Sequence, residues 1–208
     1  MKAMLIRYFR GLRPGFPAAM LFAAAAYAVT LFRESLGMVV VIQTVAACVY
    51  LPAYGAVQQD QSSGFERYAL TMPIKGSTLA VSRYLFALLF CMPVCAACAV
   101  LFAVFMPELF GRAAVSIAAG LGEGTLIMAV SVPVACSCGA GAVSAALASG
   151  LYGGLTVIVL DASDRPGGLA VTMCLAACLA MALSIPTSIG MYGDRSFYQS
   201  GQGSDLSN

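Results

Sequence analysis

Leu36–Val57 reads LGMVVVIQTVAACVYLPAYGAV, an apolar run without one formally charged side chain. As a helix rising 1.5 Å per residue it would be about 33 Å long, the hydrocarbon thickness of a bilayer. A soluble core helix has no need of such a run, because one of its faces meets water. The composition agrees: 61% of the 208 residues are apolar and only 10% are charged, against roughly 25% charged in soluble domains. So few charges cannot clothe a water-soluble globule. Soluble enzyme, secreted disulfide module and nucleic-acid binder are therefore poor readings, and the chain is expected to be a polytopic, all-α membrane protein.

Working outward from Leu36, a preceding apolar run covers Phe16–Phe32 and is closed by Arg33-Glu34. Its basic leader and the AAAAYA stretch are marks of a cleaved signal, but five more apolar runs follow, so an uncleaved first span is expected. Downstream of Val57 comes the longest polar stretch, Gln58–Lys75, and then a run over 84–106 that ends in the short connection Pro107–Arg112. From Ala113 to Leu160 the single charge is Glu123. That length is too great for one crossing, and Pro133 with Cys136–Gly141 is the natural break. The expected spans are 16–32, 36–57, 84–106, 113–134, 142–160 and 169–189 in one transmembrane domain over 1–198, with a mobile polar tail over 199–208.

The first residues, MKAMLIRYFRGLR, form an amphipathic helix candidate at about 100° per residue. Lys2, Arg7, Arg10 and Arg13 share one arc and Met4, Leu5, Tyr8 and Phe9 the other, with Ile6 a misfit. Such a helix can lie at the membrane surface with its cations among headgroups; the plainer reading is a positive flank that orients the first span. Either way the N-terminus is expected in the cytosol. Lys2, Arg7, Arg10, Arg13, Arg67, Lys75, Arg83 and Arg195 then lie inside, and Arg33, Arg112 and Arg165 outside. The asymmetry satisfies the positive-inside bias, with both termini cytosolic. The outside loops are too short for a ligand-binding domain, so a soluble partner is expected at the cytosolic segment after the second span.

Chemistry is sparse. His and Trp are absent, which removes His metal sites and His proton relays. The eight cysteines lie mostly inside apolar runs, where thiols act as small hydrophobes. Cys136 and Cys138 have no second pair at metal-ligand spacing, so neither a metal site nor a catalytic set is expected. Glu123, within Gly120-Leu-Gly-Glu-Gly124, has two readings: an intramembrane carboxylate in a pathway, or a helix break at the glycines that keeps it near the outer surface. Pro93, Pro133 and Pro186 fall inside spans and mark expected kinks. Small residues at Ala145-Ser149-Gly153 and Ala146-Gly150-Gly154 permit close helix contact.

The segment Gln58–Arg83 reads QQDQSSGFERYALTMPIKGSTLAVSR. Glu66–Met72 can form a short helix that Pro73 ends, and Ser77 or Thr78 can cap the next. A short helix set crosswise between two spans is a lever; a solvated loop on the headgroups is the alternative. The run Gly64-Phe65-Glu66-Arg67-Tyr68-Ala69-Leu70-Thr71-Met72-Pro73-Ile74, with Ser82-Arg83-Tyr84-Leu85 after it, resembles the ABC-2-type transporter permease family. The closing Ser188-Ile-Gly-Met-Tyr192-Gly-Asp-Arg195-Ser-Phe197 is similar to that family's ending, and the layout matches over roughly residues 1–198. Departures are Phe65 at the usual Trp, Lys75-Gly76 after the Pro-hydrophobic pair, and a turn near 136–141 without charges.

This resemblance implies the membrane subunit of an ATP-binding cassette exporter, not itself an enzyme, in the cytoplasmic membrane of a prokaryote. It also implies a second permease copy and a separate ATPase subunit, which binds ATP and Mg; this chain binds no cofactor of its own. Consistent with that, no G-x-x-x-x-G-K-[ST] loop occurs. Glu66 and Arg67 would make polar contacts to the ATPase, Tyr68 and Leu70 packing contacts, and Pro73 would fix the corner. Ser82, Arg83 and Tyr84 would carry the chain into the membrane. Two alternatives stand beside it: a non-transporting immunity or assembly protein on the same scaffold, and an intramembrane lipid-modifying enzyme. The second would need a nucleophile with a base, or paired carboxylates, at lipid depth.

Overall fold

The computed structural model describes residues 2–11, 15–65, 76–138, 150–151, 155 and 166–202, and no side chains after residue 190. Among the described residues there is no strand. The helices are α1 (Lys2–Gly11), α2 (Gly15–Phe32), α3 (Glu34–Ser62), α4 (Gly76–Phe105), α5 (Phe110–Cys138) and α6 (Pro166–Gln202), with a 3-10 turn Pro107–Leu109 before α5. Among the described residues, four stretches are long and apolar enough to cross a membrane: Glu34–Ser62, Ser77–Phe105, Pro107–Ser137 and Ala170–Gly190. Counting α1 and α2 as one bent span makes five. The expected span over 142–160 lies outside the described residues, save for isolated positions.

The helices outrun the spans read from hydropathy, because helical geometry continues wherever backbone hydrogen bonds can be made. The second span was expected to end at Val57, yet α3 runs on through Gln58–Ser62. Gly64 terminates it in the left-handed region at φ 66°, where a side chain would be strained. Pro133, read as a break, lies inside the unbroken α5. Pro52, Pro93 and Pro186 are likewise interior to α3, α4 and α6. Past Ile189, the expected end of the last span, α6 continues to Gln202. A lipid-facing helix tolerates such prolines when neighbouring groups satisfy the freed carbonyls.

The core is built around α3. Val41, Val45, Val49, Ala53 and Ala56 form a fully buried stripe at helical spacing. Against it lies α5, brought close by glycines. A Cβ on Gly120 would stand 2.5 Å from the Ile42 carbonyl oxygen, and one on Gly124 2.6 Å from that of Ala46. On the other side, Gly122 abuts the Met173–Cys174 backbone of α6, where a Cβ would fall 2.8 Å from the Met173 carbonyl carbon. The three glycines read as possible helix breakers instead let α5 slot between α3 and α6, a small-residue contact in which van der Waals packing supplies the attraction that lipid cannot.

Side-chain contacts fix the helix directions. Arg83 meets Asp60, so the start of α4 lies at the end of α3. Arg83 also reaches Cys136, near the end of α5, while Glu34 pairs with Arg112 at the opposite pole. The Cys174 thiol lies 3.4 Å from the Ala118 carbonyl, and Ser188 bonds Tyr84 back at the Asp60 end. Helices α5 and α6 therefore run in the same direction.

Candidate functional site

Among the described residues, several groups of polar side chains are buried between these helices. The first is at the Asp60 end. Asp60 prolongs the stripe Val49, Ala53, Ala56 by one more turn, so its carboxylate points into the bundle with no exposed surface. Arg83 Nη2 donates to Asp60 Oδ2 at 3.0 Å and its Nε at 3.3 Å, and Arg83 is also fully buried. The Tyr8 hydroxyl donates to the same oxygen at 2.6 Å. Arg7 Nη1 stands 3.2 Å from Oδ1, and Arg7 Nη2 donates to Ser63 Oγ at 2.9 Å. The Arg7 guanidinium also stacks over the Phe65 ring, 3.6 Å from its centroid, a cation–π contact.

This node joins four helices. Arg7 and Tyr8 bring in α1, Asp60 belongs to α3, Arg83 to α4, and the contact from Arg83 Nη1 to Cys136 Sγ at 3.2 Å adds α5. Nearby, Gln61 Nε2 donates to the Ala135 carbonyl at 2.9 Å. Charge governs its stability. A lone buried guanidinium or carboxylate is strongly unfavourable, and removing one partner of a buried pair costs about 3–5 kcal/mol. Burial also pushes the Tyr8 phenol pKa well above its ordinary value. Tyr8 thus stays a neutral donor at physiological pH.

At the next residue of α4, the Tyr84 hydroxyl lies 2.6 Å from Ser184 Oγ and 3.0 Å from Ser188 Oγ. Ser184 and Ser188 are four residues apart on α6 and so share a face. The two motifs quoted from opposite ends of the sequence, Ser82-Arg83-Tyr84 and the one opening at Ser188, meet here. Ser82 is buried too, its hydroxyl bonded to the Leu79 carbonyl at 2.8 Å.

The second group is Glu123 with Gln43. Glu123 lies thirteen residues from Phe110 and fifteen from Cys138, at the middle of α5, and is fully buried. The helix passes through Gly120, Gly122 and Gly124 without a break. Gln43 Nε2, on α3, stands 3.3 Å from each carboxylate oxygen. On its other side Gln43 lines an apolar cavity of about 610 Å³ between α2 and α3, bounded by Phe22, Thr44, Tyr50, Leu51 and Phe90 among others.

The expected site residues divide accordingly. Glu66, Arg67, Tyr68, Leu70 and Pro73 lie outside the described residues, as do Arg13 and the Lys2 side chain. Arg7 is half-buried at the node and Arg10 is exposed. Arg83 is part of the helix-joining node, at the centre of the bundle's end. Asp60, Tyr8, Gln43, Ser184 and Cys136 were not singled out from sequence as site residues. For Asp60 a signal was present: the three- and four-residue spacing of the apolar stripe continues onto it.

A family model described as an ABC-2 family transporter protein matches residues 5–193. No curated protein and no solved structure matches the chain.

Proposed function

The chain belongs to the ABC-2 family of transporter proteins, and from that membership we propose that it is the permease subunit of an ATP-driven exporter. It is a multi-pass membrane protein, and its family is generally non-enzymatic. In this reading a separate ATPase subunit binds and hydrolyses ATP with Mg, two permease copies form the pathway, and the assembly lies in the cytoplasmic membrane of a prokaryote.

The observation that carries the mechanism is the Asp60–Arg83 pair. Residues 66–75 connect the end of α3 to the start of α4, and this pair ties those two helix ends together. A segment mounted there delivers force to both helices at once. Glu66 and Arg67 are assigned polar contacts to the ATPase, Tyr68 and Leu70 packing contacts, and Pro73 the corner. The buried node then passes the displacement to α1 and α5 as one body.

Six crossings with both termini cytosolic fit the helix directions. Because α5 and α6 run the same way, the chain from Cys138 to Pro166 has to connect opposite ends of the bundle. Glu123 is assigned to the pathway, since Gln43 stands between it and the apolar cavity; unchanged export by Glu123→Gln would remove it from that role. The lever itself is tested by co-purification. Wild-type permease should retain its ATPase subunit, and a Glu66/Arg67/Tyr68 triple alanine variant should lose at least ten-fold of it. Equal retention by the folded variant would refute the lever.

A further inference from the structure

We propose that the recess where α1 meets the end of α3, lined by Ile6, Arg7, Arg10, Gly11 and Gln59, binds the phosphate group of an anionic phospholipid. The recess encloses about 360 Å³. Its electrostatics favour an anion. Arg7 and Arg10 line it, whereas the one carboxylate of the cluster among the described residues, Asp60, is already engaged by Arg7, Arg83 and the Tyr8 hydroxyl. Arg10 is exposed and has no ion pair among the described residues. The C-terminal end of α1 opposes binding with roughly half a negative charge, too little to cancel two guanidiniums.

Neutral groups complete the recess. The Gln59 amide lies against the bare backbone of Gly11, where a Cβ would stand 2.7 Å from both Nε2 and Oε1. Guanidiniums suit phosphate because their paired donors match its oxygens, and basic pockets at helix junctions near the membrane surface hold anionic headgroups. The surroundings point to a lipid as the source. Ile6 is 49% exposed, Phe9 42% and Phe16 38%. Phe9 packs edge-on against Phe86, with centroids 4.9 Å apart, and Phe16 against Phe90 at 6.0 Å. An apolar strip thus descends from the recess along α4, where acyl chains can cover it. A free phosphate would leave that strip bare. The inference rests on the chain lying in a bilayer and not on its transporting anything.

The test is native mass spectrometry of the full chain in dodecyl maltoside, titrated with dioleoylphosphatidylglycerol or dioleoylphosphatidylcholine, with and without millimolar inorganic phosphate. The glycerol lipid should bind on the order of ten-fold tighter than the choline lipid. Arg10→Gln should lower its binding about five-fold and leave the choline lipid and the melting temperature unchanged. Gly11→Leu, which fills the recess, should do the same through shape. Equal binding of the two lipids, or a preference that survives both variants, would overturn the proposal. So would inorganic phosphate that binds saturably and displaces the glycerol lipid, which would mark a site for the free ion.

Discussion

Asp60 and Glu123 are both carboxylates without exposed surface, and the bundle treats them in opposite ways. Asp60, at the end of α3, is met by two guanidiniums and a phenol from two other helices. Glu123, midway along α5, receives among the described residues only the neutral amide of Gln43, at a longer 3.3 Å. A buried charge needs an opposite charge or a proton. The first arrangement is therefore a compensated joint that holds helices together, and the second is a group without an opposite charge among the described residues, bonded to a glutamine that lines a cavity. The contrast distinguishes a carboxylate that fixes structure from one left free to do something else.

Breaking the joint should have the largest effect. Asp60→Ala removes one partner of the buried Asp60–Arg83 pair, and about 3–5 kcal/mol of stability should be lost; thermal melting in detergent would register it as a steep fall in folded yield. The double variant Asp60→Leu/Arg83→Met removes both charges and should recover most of that loss, because apolar groups of similar size replace a buried pair at little cost. If the double variant were as unstable as the single one, packing around Asp60 would be the main contribution and charge compensation a minor one.

The corresponding change at the second site should be much milder. Glu123→Gln keeps the shape and a hydrogen-bonding group for Gln43, so melting should shift by less than about 1 kcal/mol equivalent. A collapse of the fold would mean that Glu123 is a structural joint after all and would erase the contrast. Smallest of all should be Arg112→Ala, which removes the ion pair to Glu34 at the opposite pole. Those side chains are 67% and 42% exposed, and exposed pairs contribute about 0–1 kcal/mol. A larger loss in the same melting assay would show that this end, too, is stapled by charge.

Much of this could be read in advance, and where it could not the reasons are particular. Hydropathy located α2, α3, α4, α5 and α6 because each buries an apolar stretch in lipid or in its neighbours. It does not mark where helices end, since Gln58–Ser62 are polar yet helical, and polarity records solvent preference rather than backbone geometry. The GLGEG run at 120–124 was ambiguous alone, because glycine both weakens helices and permits close contact. Only the positions of Ile42, Ala46 and Met173 against it decide for contact. Arg83 was visible as part of a motif, but its partner Asp60 looked like one more polar residue near a loop.

The sequence by itself determined the solvent, the helical class and the family-like segments, because these follow from local quantities: run length, charge density and residue order. Which charges meet was decided only by tertiary structure. Arg7 and Asp60 are fifty-three positions apart, and Tyr84 and Ser188 one hundred and four. Such pairs form because helix directions and glycine-mediated approach bring them together, and neither property belongs to any single stretch of chain.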